Sequence, residues 1–101
     1  MRSISVQDLK PFVDAAAVQV VDVREPSEYA EGHVPGAVSM PLATVPVRFA
    51  EIDRDRPVHL VCAVGGRSAQ AAQYLDEQGF DTVNVTGGTG DWVTAGFPVD
   101  R

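Results

Sequence analysis

Cysteine is almost missing from this chain: Cys62 stands alone, so no internal disulfide can form. No apolar run approaches the roughly 20 residues needed to span a bilayer. Positive charge is also scarce, with 8 Lys and Arg against 14 Asp and Glu. A formal charge of −6 excludes nucleic acid and anionic membrane surfaces as natural partners, because both reward clustered cations. Histidine occurs twice, at His33 and His59, and with one cysteine this leaves no metal-ligand spacing. The N-terminal stretch Met1 to Ser5 is followed by charged residues instead of the apolar core of a signal peptide, so a cytoplasmic protein is expected.

What is present is the material of one small core. A chain of 101 residues, 45% hydrophobic and without repeats or linker-like tracts, predicts a single domain over residues 1–101. Short strand and helix patterns alternate. Ser5 caps a helix running to about Ala16, with Leu9, Phe12, Val13 and Ala16 on its inner face. Val18 to Val23 reads as a buried strand, Glu25 to Ala30 as a short helix with proline in its first turn, and Gly32 to Ala37 as a turn. Val38 to Met40 is a third strand candidate, and Val45, Phe49 and Ile52 give a helical pattern. Val58 to Val61 is a strand, Ser68 to Gln78 a helix stopped by Gly79, and Thr82 to Val85 a strand. Gly87 to Gly90 then turns into a last helical turn at Asp91 to Ala95. Continuous apolar strands alternating with helices imply an α/β fold with a parallel sheet covered on both faces.

Cys62 lies where a strand hands over to a helix, and ligands of parallel sheets bind beyond the carboxyl ends of the strands. A free thiol with a pKa near 8.5 is only about 3% thiolate at pH 7. Gly65 and Gly66 let backbone N–H groups turn toward the sulfur, Arg67 adds a fixed charge, and a helix N-terminus follows. A cysteine at a strand end is by itself an ordinary core residue. The sequence Cys62-Ala63-Val64-Gly65-Gly66-Arg67-Ser68 makes it a candidate nucleophile, with Ala63 to Ser68 as the substrate-binding loop.

Four ordered motifs resemble those of single-domain rhodaneses, the rhodanese-like sulfurtransferases: Asp22 to Tyr29, Gly32 to Ala37, Cys62 to Ser68 and Gly87 to Trp92. The resemblance implies a rhodanese-like fold, a central five-stranded parallel sheet with helices on both faces. It also implies a six-residue loop whose first position, Cys62, is the catalytic cysteine. Its thiolate takes a sulfane sulfur from thiosulfate or a persulfide, holds it as a persulfide, and passes it to a thiol or cyanide. No cofactor and no metal enter that chemistry. Related cysteine phosphatases place five residues between nucleophile and arginine, whereas here Ala63 to Gly66 supply four. Many thiosulfate-using members carry a basic or polar residue after the cysteine. Ala63 and Val64 stand there in this chain, which points to a persulfide donor, including one on a sulfur-relay protein. The alternative is a sulfur-carrying or regulatory binding module with little turnover of its own.

The remaining candidates take plainer roles. His33 reads as a hydrogen-bonded turn residue and His59 as core or edge. Asp22 and Arg24 tie the strand end to the turns after it. Glu25, Glu28 and Glu31 form a solvated helix face, and Trp92 packs, with an indole edge near the cleft as a further expectation. Gly87 to Gly90 lacks the lysine of a phosphate loop and so reads as a tight turn.

Overall fold

The computed structural model describes all 101 residues. Five parallel strands form one sheet: β1 (Arg2–Ile4), β2 (Gln19–Asp22), β3 (Val38–Ser39), β4 (Val58–Val61) and β5 (Thr82–Val85), in the order β1-β5-β4-β2-β3. Between and after them run α1 (Val6–Asp14), α2 (Pro26–Glu31), α3 (Val45–Arg48), α4 (Gly66–Glu77) and α5 (Gly88–Thr94). None of these helices is long and apolar enough to cross a membrane.

The β4 strand sits at the centre, and its alternation sorts the core. Val58, Leu60 and Cys62 point to one side, where Ala71, Ala72 and Leu75 of α4 cover them with Val45 and Phe80. Val61 points to the other side, against Leu9 and Val13 of α1 and Trp92 of α5. Both faces are therefore apolar, as a parallel sheet requires, and each fully buried Leu contributes roughly 2 to 3 kcal/mol. Ser5 accepts the Asp8 N–H at 3.1 Å and so starts α1 immediately after β1.

Several local expectations change. Arg2-Ser3-Ile4 is a strand, which its own composition does not announce; it exists because these residues align with Val83, Asn84 and Val85. The strand expected over Val18–Val23 is Gln19–Asp22, and the one expected over Val38–Met40 is two residues long. Phe12 is 50% exposed and Ala16 lies beyond the helix with φ 52°, so neither belongs to the inner face of α1. The helix expected over Val45–Ile52 is the single turn of α3, flanked by 3-10 turns at Leu42–Thr44 and Phe49–Glu51. The α4 helix starts at Gly66, two residues before Ser68.

From β2 the chain moves outward to β3, and from β4 it moves the opposite way to β5. The crevice beyond the ends of β2 and β4 is thus the switch point of the sheet. Asp22 closes β2 opposite Val61, and Cys62 is the next residue of the central strand.

Candidate active site

Leaving β4, the chain must turn at once into α4, and Gly65 makes that turn in the left-handed region at φ 117°. Only glycine adopts this conformation at little cost. The consequence is chemical: the Gly65 N–H points back and donates to Cys62 Sγ at 3.0 Å. Ser68, on the first turn of α4, sets its hydroxyl 3.4 Å from the same sulfur and 3.1 Å from the Gly65 carbonyl. A hydroxyl has one proton. It turns to the sulfur when Cys62 is a thiolate and is free to return to the Gly65 carbonyl when Cys62 is neutral.

Burial opposes ionisation of Cys62, but the Ser68 hydroxyl together with the Ser68, Gly65 and Val64 N–H groups outweighs it, and the thiol lies below its ordinary value. The sequence expectation is thus met in part. Gly65 supplies an N–H, as does Val64, while Gly66 serves as the first helical residue of α4.

Arg67 supplies the expected fixed charge, but its N–H donors are engaged away from the sulfur. Its guanidinium grips Glu28 of α2 with two bonds, Nη1 to Oε1 at 2.7 Å and Nη2 to Oε2 at 3.0 Å. Arg67 acts on the thiolate through its field, without a hydrogen bond to the sulfur. Glu28, expected on a solvated face, is instead a half-buried partner whose carboxyl is lowered to about 2, first of all by the Arg67 hydrogen bond. Its side chain also accepts the Glu25 N–H at 3.0 Å, closing a capping box on α2. Nothing near Glu28 in sequence marks this, since its partner lies 39 residues away.

A second loop holds the first. Thr89 N–H donates to the Cys62 carbonyl at 2.8 Å, and Gly90 N–H donates to the Ala63 carbonyl at 2.9 Å. These are N–H groups at the start of α5 that have no partner within the helix, so one turn of helix fastens the Cys62 loop. Gly88 permits the approach: a Cβ there would stand 2.2 Å from the Cys62 carbonyl oxygen. The stretch Gly87 to Gly90, expected as a tight turn before a helix at Asp91 to Ala95, is instead the N-cap and first residues of α5, and it serves as a backbone clamp. Asn84 of β5 adds a long hydrogen bond to the Gly65 carbonyl, at 3.4 Å.

Asp22 and Arg24 form a buried ion pair at the end of β2, with Arg24 Nη2 2.7 Å from Asp22 Oδ2 and 2.8 Å from the Gly32 carbonyl. They tie the strand to the turn after α2, as the sequence suggests. His33 bonds through Nδ1 to the Tyr29 carbonyl at 2.8 Å and stacks on the Tyr29 ring. His59 is buried in mid-strand on β4. Trp92 is fully buried and donates to the Pro98 carbonyl at 2.8 Å, so no indole edge reaches the cleft.

The loop opens beside a cleft of about 470 Å³ lined by Ala63, Thr89, Gly90, Arg24 and Glu28. Val64 stands 76% exposed on the loop itself. A buried sulfur ringed by donors, beside an open cleft of mixed character, is equipped to hold an anionic sulfur species at the switch point.

Residues 5–95 match the rhodanese-like domain family. A sulfurtransferase of Allochromatium vinosum is 41% identical over 89 residues, which cover 87% of this chain and 83% of that protein. The thiosulfate sulfurtransferase GlpE of Shewanella oneidensis is 38% identical over 90% of this chain and 91% of its own length. A rhodanese-related protein of Thermoplasma volcanium has a structure that superposes with a TM-score of 0.91 at 34% identity, over 99% of this chain and 98% of that one. Fold, loop and relatives agree over nearly the whole chain, and it belongs to the rhodanese-like sulfurtransferase family.

Proposed function

We propose that Cys62 carries sulfur as a persulfide between a sulfane sulfur donor and a thiol or cyanide acceptor. The Cys62 thiolate attacks the outer sulfur of a donor persulfide; a new S–S bond forms, the donor S–S bond breaks, and the donor thiolate leaves with the electron pair. An acceptor thiolate or cyanide then attacks the same outer sulfur and Cys62 departs as thiolate. No net oxidant is required. The carrying observation is the Gly65 N–H held 3.0 Å from Cys62 Sγ, with the Ser68 hydroxyl on the same atom. Val64, Gly65 and Ser68 favour the leaving thiolate, and the loop around Ala63 to Ser68 receives the transferred sulfur.

The donor class follows from charge. Glu28 neutralises Arg67, and Ala63 and Val64 bring none, so a dianion such as thiosulfate meets little attraction. A persulfide on a small thiol or on a sulfur-relay protein of the cytoplasm suits the loop better. Intact mass after incubation with cysteine persulfide or with thiosulfate tests the reading through a gain of about 32 Da, one sulfur atom. No gain with either donor, or an equal gain in Cys62→Ser, overturns it.

One observation favours a second reading, a sulfur-carrying module that acts only when docked. Val64 is 76% exposed at the loop mouth, an apolar contact for a protein surface. That reading keeps the Cys62 persulfide but predicts no multiple turnover with free thiols or cyanide.

A further inference from the structure

The opposite end of the sheet carries a second cleft. Strand register sets Arg2, Val83, His59 and Val20 in one row across β1, β5, β4 and β2. Val20 packs with the α1 core, so this row lies on the sheet face that α1 covers. Beside the last turn of α1 a cleft of about 420 Å³ opens, walled by Ile4, Phe12, Val18 and Val83. That volume falls in the range of small-molecule sites. Phe12, half exposed despite its place on an amphipathic helix, offers a ring face to an occupant.

Beside the neutral Ser3 and Gln19, its ionisable groups are all bases. Arg2, Arg56 and His59 line the cleft, and no carboxylate does, although acids outnumber bases 14 to 8 in the chain. Asp81 takes only Nη2 of Arg2, and Asp53 takes only Nε of Arg56, so both guanidinium groups keep free donors. His59 is buried and its Nδ1 lies 3.2 Å from the Gln19 carbonyl oxygen. A carbonyl accepts only, so the proton sits on Nδ1, and Nε2 presents a lone pair that no protein group uses. Burial pushes His59 down and keeps the ring neutral. Two guanidinium groups that are ion-paired on one side and keep N–H donors on the other, one acceptor and an apolar wall define an occupant held by hydrogen bonds more than by net charge.

We propose that this cleft binds a small aromatic molecule carrying one carboxylate and one hydrogen-bond donor, the carboxylate held by Arg2 and Arg56 and the donor by His59 Nε2. The site is independent of the sulfur chemistry, and its test is run in Cys62→Ser protein so that the thiol plays no part.

The probe is 6-hydroxy-2-naphthoate, titrated by NMR, beside 2-naphthoate, which lacks the donor, and 2-naphthol, which lacks the carboxylate. The full probe is expected to bind with Kd of about 1 mM or tighter, moving the His59 ring and the Val83 amide. Each stripped probe binds about fivefold more weakly, as exposed charge and single hydrogen bonds allow. Arg56→Gln weakens the full probe about fivefold and leaves 2-naphthol unchanged, and His59→Phe weakens it while leaving 2-naphthoate unchanged. The three ligands judge the native cleft even where a variant fails to fold. No shift at His59 up to about 10 mM, equal binding of all three probes, or shifts gathered at residues 62–68 overturns the proposal.

Discussion

Both carboxylate oxygens of Glu28 are held by Arg67, at 2.7 and 3.0 Å, so the one cation of the sulfur loop is occupied by a residue of another helix. Removing that carboxylate charge frees the guanidinium to attract an anionic donor. Glu28→Gln is expected to lower the KM for thiosulfate about three- to fivefold, read from steady-state cyanolysis. A KM that stays constant or rises refutes it.

The same pair gives a pH dependence of stability. Glu28 titrates at about 2 in the folded chain against 4.5 for an unperturbed carboxyl. Its folded pKa is depressed, so the contribution is complete above about pH 4.5 and disappears as pH falls toward 2. Because the pair is partly exposed, solvent screening limits it to about 1 kcal/mol. Urea melts of the wild type and Glu28→Gln, compared between pH 6 and pH 3 (about the middle of the window), should lie closer together at pH 3 than at pH 6.

Ser68 is the side-chain donor to the sulfur, and its loss leaves burial less opposed. Ser68→Ala should raise the Cys62 pKa, because a hydrogen bond to the charged sulfur is lost while burial stays. The alkylation rate with iodoacetamide as a function of pH reports it. An inflection at the wild-type position removes Ser68 from the thiolate account.

Asp22 and Arg24 are both buried, so deleting one strands the other. Asp22→Ala should destabilise the fold by about 3 to 5 kcal/mol, whereas Asp22→Ala combined with Arg24→Met costs less than the single change. Denaturant titration of the two variants decides. A double variant weaker than the single one contradicts the pairing.

Gly88 and Gly36 both have positive φ, at 55° and 82°, but only Gly88 is crowded. Gly36→Ala meets no atom within 4 Å and should cost about 1 kcal/mol of backbone strain. Gly88→Ala drives a methyl into the Cys62 carbonyl and should cost more than about 3 kcal/mol, or displace the loop and slow Cys62 alkylation. Equal losses in thermal or urea melts would remove the clamp from the account.

Much of this arrangement is legible before folding because it is local. The run from Val58 to Ser68 carries its strand, its glycine turn and its helix start in consecutive residues, and Cys62 stands out from those alone. Pairings across the chain are a different matter. Arg2-Ser3-Ile4 has one apolar residue and no strand periodicity; β5, some 80 residues away, makes it a strand, as the pairing of Ser3 with Asn84 shows. Glu28 looks like any exposed helix carboxylate until α2 is laid beside α4. Likewise, the Thr89 and Gly90 amides carry no side-chain signature, and their bonds to Cys62 and Ala63 appear only when α5 is docked.

The loop is fastened through main-chain groups, Cys62 and Ala63 by their carbonyls and Gly65 by its own N–H to the sulfur, so the side chains of Ala63 and Val64 carry none of its shape. These two positions are free to acquire charge, bulk or polarity while the sulfur stays where it is. Substitutions at residues 63 and 64 can therefore reshape the mouth of the loop while the backbone fastened at Gly65, Gly88 and Gly90 keeps its course.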